Sequence, residues 1–192
     1  MENLILLLFK FLLANIFISS GVSKIMNFEK HIITIDNYKV LPQSLIPFFA
    51  KFEITIEMFV SVLLYLGLFQ KMAIMLMIFM LVVYSLAISA NLLIGRDDIS
   101  CGCNGVIGDH RISWWLVLRN FGFVVLGIWI LSGVNTFGNV DFLNGGLYDL
   151  LNYDVILVFL ISWMIILVKL IGSQFIRIKN QIRYLFPNER GI

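Results

Sequence analysis

Five long apolar stretches restrict what this chain can fold into. They fall at residues 4–25, 46–68, 72–94, 114–131 and 154–171, each close to the roughly 20 residues that a helix needs to cross hydrocarbon. The runs are uninterrupted and do not alternate, so helices are expected rather than strands: inside a bilayer each segment has to satisfy its own backbone hydrogen bonds. Composition agrees. Hydrophobic residues make up 60% of the 192 positions and charged residues 14%, against about 45–50% and about 25% in soluble domains. The expected class is therefore all-α integral membrane, with the lipid bilayer as its first partner. A net charge of +2 is too small to point to nucleic acid. Met1-Glu2-Asn3 offers no basic residue and Lys10 interrupts the first run, so that run reads as a retained span and not a cleaved leader.

The connecting segments carry their own patterns. Phe28, Ile32, Ile35 and Tyr38 recur at spacings of three and four, which fits a short amphipathic helix in the membrane interface, ended by Leu41-Pro42. Residues 95–113 form a polar loop with both cysteines, and residues 132–153 a second loop rich in glycine and asparagine. Residues 172–192 form a basic tail in which Ile176, Ile178, Ile182 and Leu185 suggest another surface-lying helix. A core at 1–131 followed by a separate span at 154–171 is the domain organisation expected.

Five spans put the first loop, the cysteine loop and the tail on one side. Lys24, Lys30, Lys39, Arg96, Arg111 and the four basic tail residues lie there, against Lys71 and Lys10 opposite. By the positive-inside rule the cysteine loop faces the cytoplasm. In either orientation Lys24, Glu53, Arg119, Cys101 and Cys103 share one leaflet, and Glu57 lies roughly halfway through the bilayer at about 1.5 Å per residue.

The chain has only two cysteines, in Cys101-Gly102-Cys103-Asn104-Gly105. Packing alone does not require them so close, and two thiols two residues apart can reach disulfide distance if the backbone bends. Gly102 and Gly105 permit the bend that brings two such thiols together, and the small strained ring that results is easily reduced. Three uses remain open at this stage. The pair can exchange disulfides, can contribute to a metal site completed by His110 or Asp97, Asp98 and Asp109, or can be inert. Two thiolates supply half of a tetrahedral zinc site, which weakens the second.

Charge within the spans is the other signal, since an ionisable group deep in hydrocarbon costs several kcal/mol unless paired or hydrated. Glu53 and Glu57 lie one turn apart on one helical face. Arg119 is their expected partner, with Lys24 at the end of the first span, while Lys10 and Lys51 are expected to snorkel. Such a set either clamps the bundle or lines a polar pocket that lowers a thiol pKa or steadies a quinone headgroup.

In order and spacing, these features resemble the MauE branch of the DoxX-like membrane proteins. The matching pieces are Ser20-Gly21-Val22-Ser23-Lys24, Tyr38-Lys39-Val40-Leu41-Pro42, Glu57, Cys101-Gly102-Cys103-Asn104-Gly105 and Arg119-Asn120. The resemblance covers roughly residues 4–131. It implies a four-helix core related in shape to vitamin K epoxide reductase, followed here by a fifth, C-terminal span. It also implies a redox role in the bacterial cytoplasmic membrane, with Cys101 and Cys103 as the reactive pair; Lys24, Glu57, Arg119 and Asn120, joined by Glu53 from the charge reading, form the supporting polar pocket expected around them. The family usually has phenylalanine where this chain has Asn104, and a vitamin K-type reductase uses two cysteine pairs rather than one. Any exchange would thus need a thioredoxin-like protein, a disulfide-containing client or direct contact with a quinone. Disulfide maturation places the loop outside the cytoplasm, opposite to the charge count. The rival functions are a metal-handling protein using Cys101, Cys103 and His110, and a non-catalytic assembly or immunity-type subunit.

Overall fold

A computed structural model describes residues 2–102, 111–133 and 153–185. It contains α1 (Glu2–Met26), α2 (Phe28–Tyr38), a 3-10 turn (Gln43–Leu45), α3 (Ile46–Leu66), α4 (Gln70–Leu93), α5 (Trp114–Gly133) and α6 (Tyr153–Leu185). Among the described residues the only extended pairing is an isolated bridge between Ser100 and Arg111. Four segments are long and apolar enough to cross a membrane: Leu4–Met26, Gln70–Leu93, Trp114–Ser132 and Val155–Gly172. The chain is an integral membrane protein. Phe79, Leu86, Phe121, Leu160 and Val168 are exposed on its flanks, where lipid is the solvent that suits them. What separates α3 from these four is charge, because its 21 residues include Lys51, Glu53 and Glu57.

The long helices alternate in direction. Lys24 of α1 meets Glu53 and Glu57 of α3, and nine residues earlier Asn15 receives the hydroxyl of Tyr65, so α1 and α3 run antiparallel. The α4 residues Met77 and Ile78 pack on Gly127 of α5 while Ile88 packs with Leu116, again antiparallel. α6 runs parallel to α1, with Phe159 edge-on to Phe11 and Ser162 bonded to Asn15 at 3.1 Å. At the centre, Ala14, Val60, Leu64, Ile74 and Met77 are buried in one apolar cluster. A Cβ on Gly127 would lie 3.0 Å from Ile78 and 3.1 Å from Met77. This is the close helix approach that small residues permit in membranes, where packing rather than water drives association.

Two expectations need correction. Among the described residues no separate surface helix follows the last span, because α6 is continuous through Leu185. Its 33 residues extend about 50 Å, well past a hydrocarbon layer of about 30 Å, and nothing between residues 171 and 185 breaks helical hydrogen bonding. Lys10 does not snorkel. It is 6% exposed, with its ammonium 5.2 Å from the centre of the Phe11 ring, a cation–π contact that partly replaces water.

The short amphipathic helix is present as α2, although it ends before Leu41-Pro42. Lys39 adopts left-handed backbone angles (φ 53°) and returns its N–H to the Asp36 carbonyl, closing the helix in the way C-caps do. The chain then crosses Pro42 and re-enters a helix with Pro47 in its first turn, where a missing N–H costs nothing. This connection folds α2 back over the ends of α1 and α3.

Candidate functional site

α3 places Glu53 and Glu57 four residues apart, so both carboxylates point from one face toward α1. Lys24, in the last turn of α1, sits between them. Its Nζ is 2.7 Å from Glu53 Oε1 and 2.8 Å from Glu57 Oε2, and all three side chains are less than a tenth exposed. The C-terminal end of α1 also favours a cation through the helix dipole. Tyr84 of α4 donates its hydroxyl to Glu53 Oε1 at 2.9 Å, and the Lys24 ammonium stands 5.2 Å over its ring. His31 of α2 comes from the other side, with Nε2 3.3 Å from Glu53 Oε2, an arrangement too poorly aligned for a hydrogen bond. Three helices thus converge on Glu53 of α3.

Arg119 was expected to neutralise these carboxylates and does not. Among the described residues it forms no ion pair; its Nη2 makes one long contact to Asn120 Oδ1 at 3.5 Å, and its buried Nε has no partner. Lys24 takes the position instead, because the end of α1 lies directly against α3 while α5 stands across an open space.

That space is a cavity of about 260 Å³. Lys24, Glu53, Glu57, Arg119, Asn120, Cys101 and Gly102 all line it, whereas Asp97 and Asp98, candidate ligands of the metal reading, lie away from it, exposed in the loop. Phe17, Leu81, Ile88 and Phe123 make much of the remaining wall apolar. Cys103, Asn104, Gly105 and His110 lie outside the described residues, as do residues 134–152 and 186–192.

Cys101 is buried, at 9% exposure, in a small cluster with Ile88, Ile112 and Leu116. The base of its loop is pinched shut. Ile112 N–H bonds the Ile99 carbonyl at 2.9 Å, and outside it Arg111 pairs with Asp98 at 2.6 Å, a solvent-exposed contact of small energetic weight. Gly102 follows with φ +69°, and a Cβ there would lie 3.0 Å from Thr34 Cγ2. The loop backbone therefore rests on α2, with the Tyr38 hydroxyl facing the Cys101 carbonyl at 3.5 Å. Asn91 of α4 ties α2 down from the other side through the Tyr38 carbonyl at 3.3 Å.

His31, Thr34 and Tyr84 were missed by sequence reasoning. A signal for His31 existed: Phe28, His31, Ile35 and Tyr38 are spaced three, four and three, which puts the imidazole on the same stripe as the apolar residues. Tyr84 is the lone tyrosine of an uncharged span, and its hydroxyl, once buried, has to find a partner. Among the described residues no group of three histidine, cysteine, aspartate or glutamate side chains is arranged to hold a metal ion.

A family model described as methylamine utilisation protein MauE matches residues 1–133. The chain is also similar to the methylamine utilization protein MauE of Paracoccus denitrificans, 30% identical over 135 residues, which is 69% of this chain and 72% of that protein. No solved structure matches.

Proposed function

The chain belongs to the MauE family, and from this we propose that it is a membrane thiol–disulfide exchange protein that assists disulfide formation in a partner involved in methylamine utilisation. The observation that carries the reading is the position of Cys101, buried on the wall of the same cavity as the Lys24–Glu53–Glu57 cluster and Arg119. An inert surface cysteine has no need of such a place. A reactive one gains from a nearby cation that stabilises its thiolate. In the forward exchange, a client thiolate attacks the Cys101–Cys103 disulfide, giving a mixed disulfide and releasing one cysteine as thiolate. A second client thiolate then displaces the mixed disulfide, leaving an oxidised client and a reduced pair. The client is a thioredoxin-like intermediary or the maturing protein itself.

α3 serves in this reading as a fifth span. It is antiparallel to α1 from Glu53 to Tyr65, and its two carboxylates share the Lys24 ammonium, which lowers the cost of placing it in lipid. The first four spans then form the core, similar in shape to vitamin K epoxide reductase, and α6 packs outside against α1.

The test is a Cys103→Ser variant expressed under mild oxidation. One specific disulfide-linked adduct is expected through Cys101, released by reductant and missing from the double serine variant. If no adduct forms with either single variant, disulfide exchange is excluded as the role of this pair.

The side of the loop is open to a second measurement, alkylation by a membrane-impermeant maleimide. Exchange with an exported client requires that intact cells label after reduction. Labelling only after permeabilisation would agree with the charge count and restrict the client to the cytoplasm.

A further inference from the structure

The two faces of α6 differ in what covers them. Val158, Ser162 and Ile166, spaced by four, are buried against the bundle, where Ser162 meets Asn15 of α1. On the far side Ile161, Met164, Val168, Ile171, Phe175 and Ile178 are all exposed, at spacings of three, four, three, four and three. The sequence carries the same register back to Leu157 and on to Ile182 and Leu185. Every a position (Ile161, Val168, Phe175, Ile182) and every d position between is therefore apolar, the pattern of a coiled-coil seam. Within the span Val155–Gly172 lipid covers any apolar stripe, so the register says little there. Residues 173–185 decide the matter. They continue the helix about 20 Å past the span, where hydrocarbon gives way to headgroups and water. Of the five phenylalanine, isoleucine and leucine residues in that stretch, four keep the register and Ile176 alone does not. Phe175 is 71% exposed and Ile178 52%, a surface that water penalises. Gly172 is an independent sign. Glycine inside a helix weakens it, yet a Cβ here would meet nothing within 4 Å, so the packing of the described residues gives no reason for it. It stands next to Ile171 at position e, where a small residue lets a second helix come close.

We infer that α6 is a dimerisation helix, whose 157–185 stripe packs on the same stripe of a second copy of this chain as a parallel coiled coil that begins in the membrane and continues beyond it. Copies inserted in the same direction present their α6 helices parallel and at the same depth. A seven-residue repeat is then self-complementary, each layer meeting its own equivalent about a two-fold axis. The period itself calls for a helix as occupant. A straight helix drifts about 20° per heptad from a strict seven-residue stripe, and supercoiling around a partner keeps that stripe in line. Charge agrees. Past the span the positions flanking the seam are Gln174 and Gln181 at g and Lys179 at e, so in a parallel pair Gln174 of one copy faces Lys179 of the other and no like charges oppose each other. Arg177 and Arg183 fall at c and b, off the seam. The family match ends at residue 133, so this surface belongs to the chain beyond the shared core and does not depend on the exchange reading.

The test is oxidative cross-linking of the full chain in native membranes, with Cys101 and Cys103 both replaced by serine. Ile178→Cys, at a d position, should give a disulfide-linked dimer about tenfold or more faster than Asn180→Cys, at position f on the opposite side, because only the first lies within disulfide reach of its equivalent. No cross-link at 178, or equal rates at 178 and 180, would overturn the pairing. Two differently tagged copies of the unaltered chain, expressed together and extracted in mild detergent, should also purify together. Phe175→Glu/Ile178→Glu in both copies sets glutamates against each other across the seam and should lower recovery of the second tag about tenfold or more, with helical content by circular dichroism unchanged. Pairing the glutamate copy with one carrying Phe175→Lys/Ile178→Lys should restore recovery, which a merely misfolded variant does not do. Undiminished recovery of the paired glutamate copies would assign the contact to another surface. Recovery lost with glutamate and not restored by lysine would mean that this stripe faces lipid or a different protein, and either outcome would overturn the inference.

Discussion

Lys24→Met is expected to be the most damaging single substitution in the chain, lowering stability by about 3–5 kcal/mol as judged by thermal unfolding in a fixed detergent. Removing one partner of a buried ion pair leaves an uncompensated charge in a medium that cannot hydrate it, and here one lysine serves two carboxylates, both within 2.8 Å. Glu53 keeps the Tyr84 hydroxyl at 2.9 Å, but Glu57 loses its ammonium, and the protein has to protonate the carboxyls or admit water. The triple variant Lys24→Met/Glu53→Gln/Glu57→Gln should recover most of the loss, because replacing all members of a buried charged set is much less costly than removing one. A midpoint for Lys24→Met within a few degrees of wild type, or a triple variant no better than the single, would show that this cluster is hydrated and does not hold α1 to α3.

The second large effect concerns Gly102. An alanine there meets two obstacles: positive φ, which costs an L-residue roughly 1–2 kcal/mol, and the Thr34 methyl 3.0 Å from the new Cβ. α2 lies behind that methyl, so relief comes by lifting the loop. In the Cys103→Ser background, Gly102→Ala should accelerate alkylation of Cys101 about tenfold or more, since about 1.4 kcal/mol shifts an opening equilibrium by that factor. Adding Thr34→Ser removes the offending methyl while keeping the hydroxyl that bonds the Lys30 carbonyl at 2.9 Å. The double variant should therefore return part of the way, with the backbone strain remaining. Unchanged alkylation in Gly102→Ala would mean that Cys101 is not seated against α2.

Much of the helical framework was legible because the bilayer imposes it: a run such as residues 72–94, without a charge for two dozen positions, has few other ways to exist. Glu53 and Glu57 were legible for the converse reason, as charges where charge is costly. Their partner was legible only as one of two cations. Lys24 and Arg119 are both cations near the same membrane face, and only the tilt and contact of α1 against α3 decide which one reaches. Lys10 shows the same limit, since a lysine near a span end can reach outward to headgroups or inward against the Phe11 ring. Asn15, Tyr65 and Ser162 join three helices, yet nothing in their local sequence distinguishes them from the other polar residues of apolar spans. The position of the tail failed for a different reason. A pattern of isoleucines at helical spacing says that residues 172–185 are helical, but it does not say whether a helix bends at the interface or continues straight.

α2 is a wall of the cavity through His31 and also the surface on which the Cys101–Gly102 backbone rests through Thr34. A displacement of α2 would therefore alter the cavity wall and the seat of the Cys101–Gly102 backbone together. If α2 had two positions, any molecule that favoured one of them would shift the setting of Cys101, and by reciprocity a change in the bonding of Cys101 would alter affinity in the cavity by the same factor.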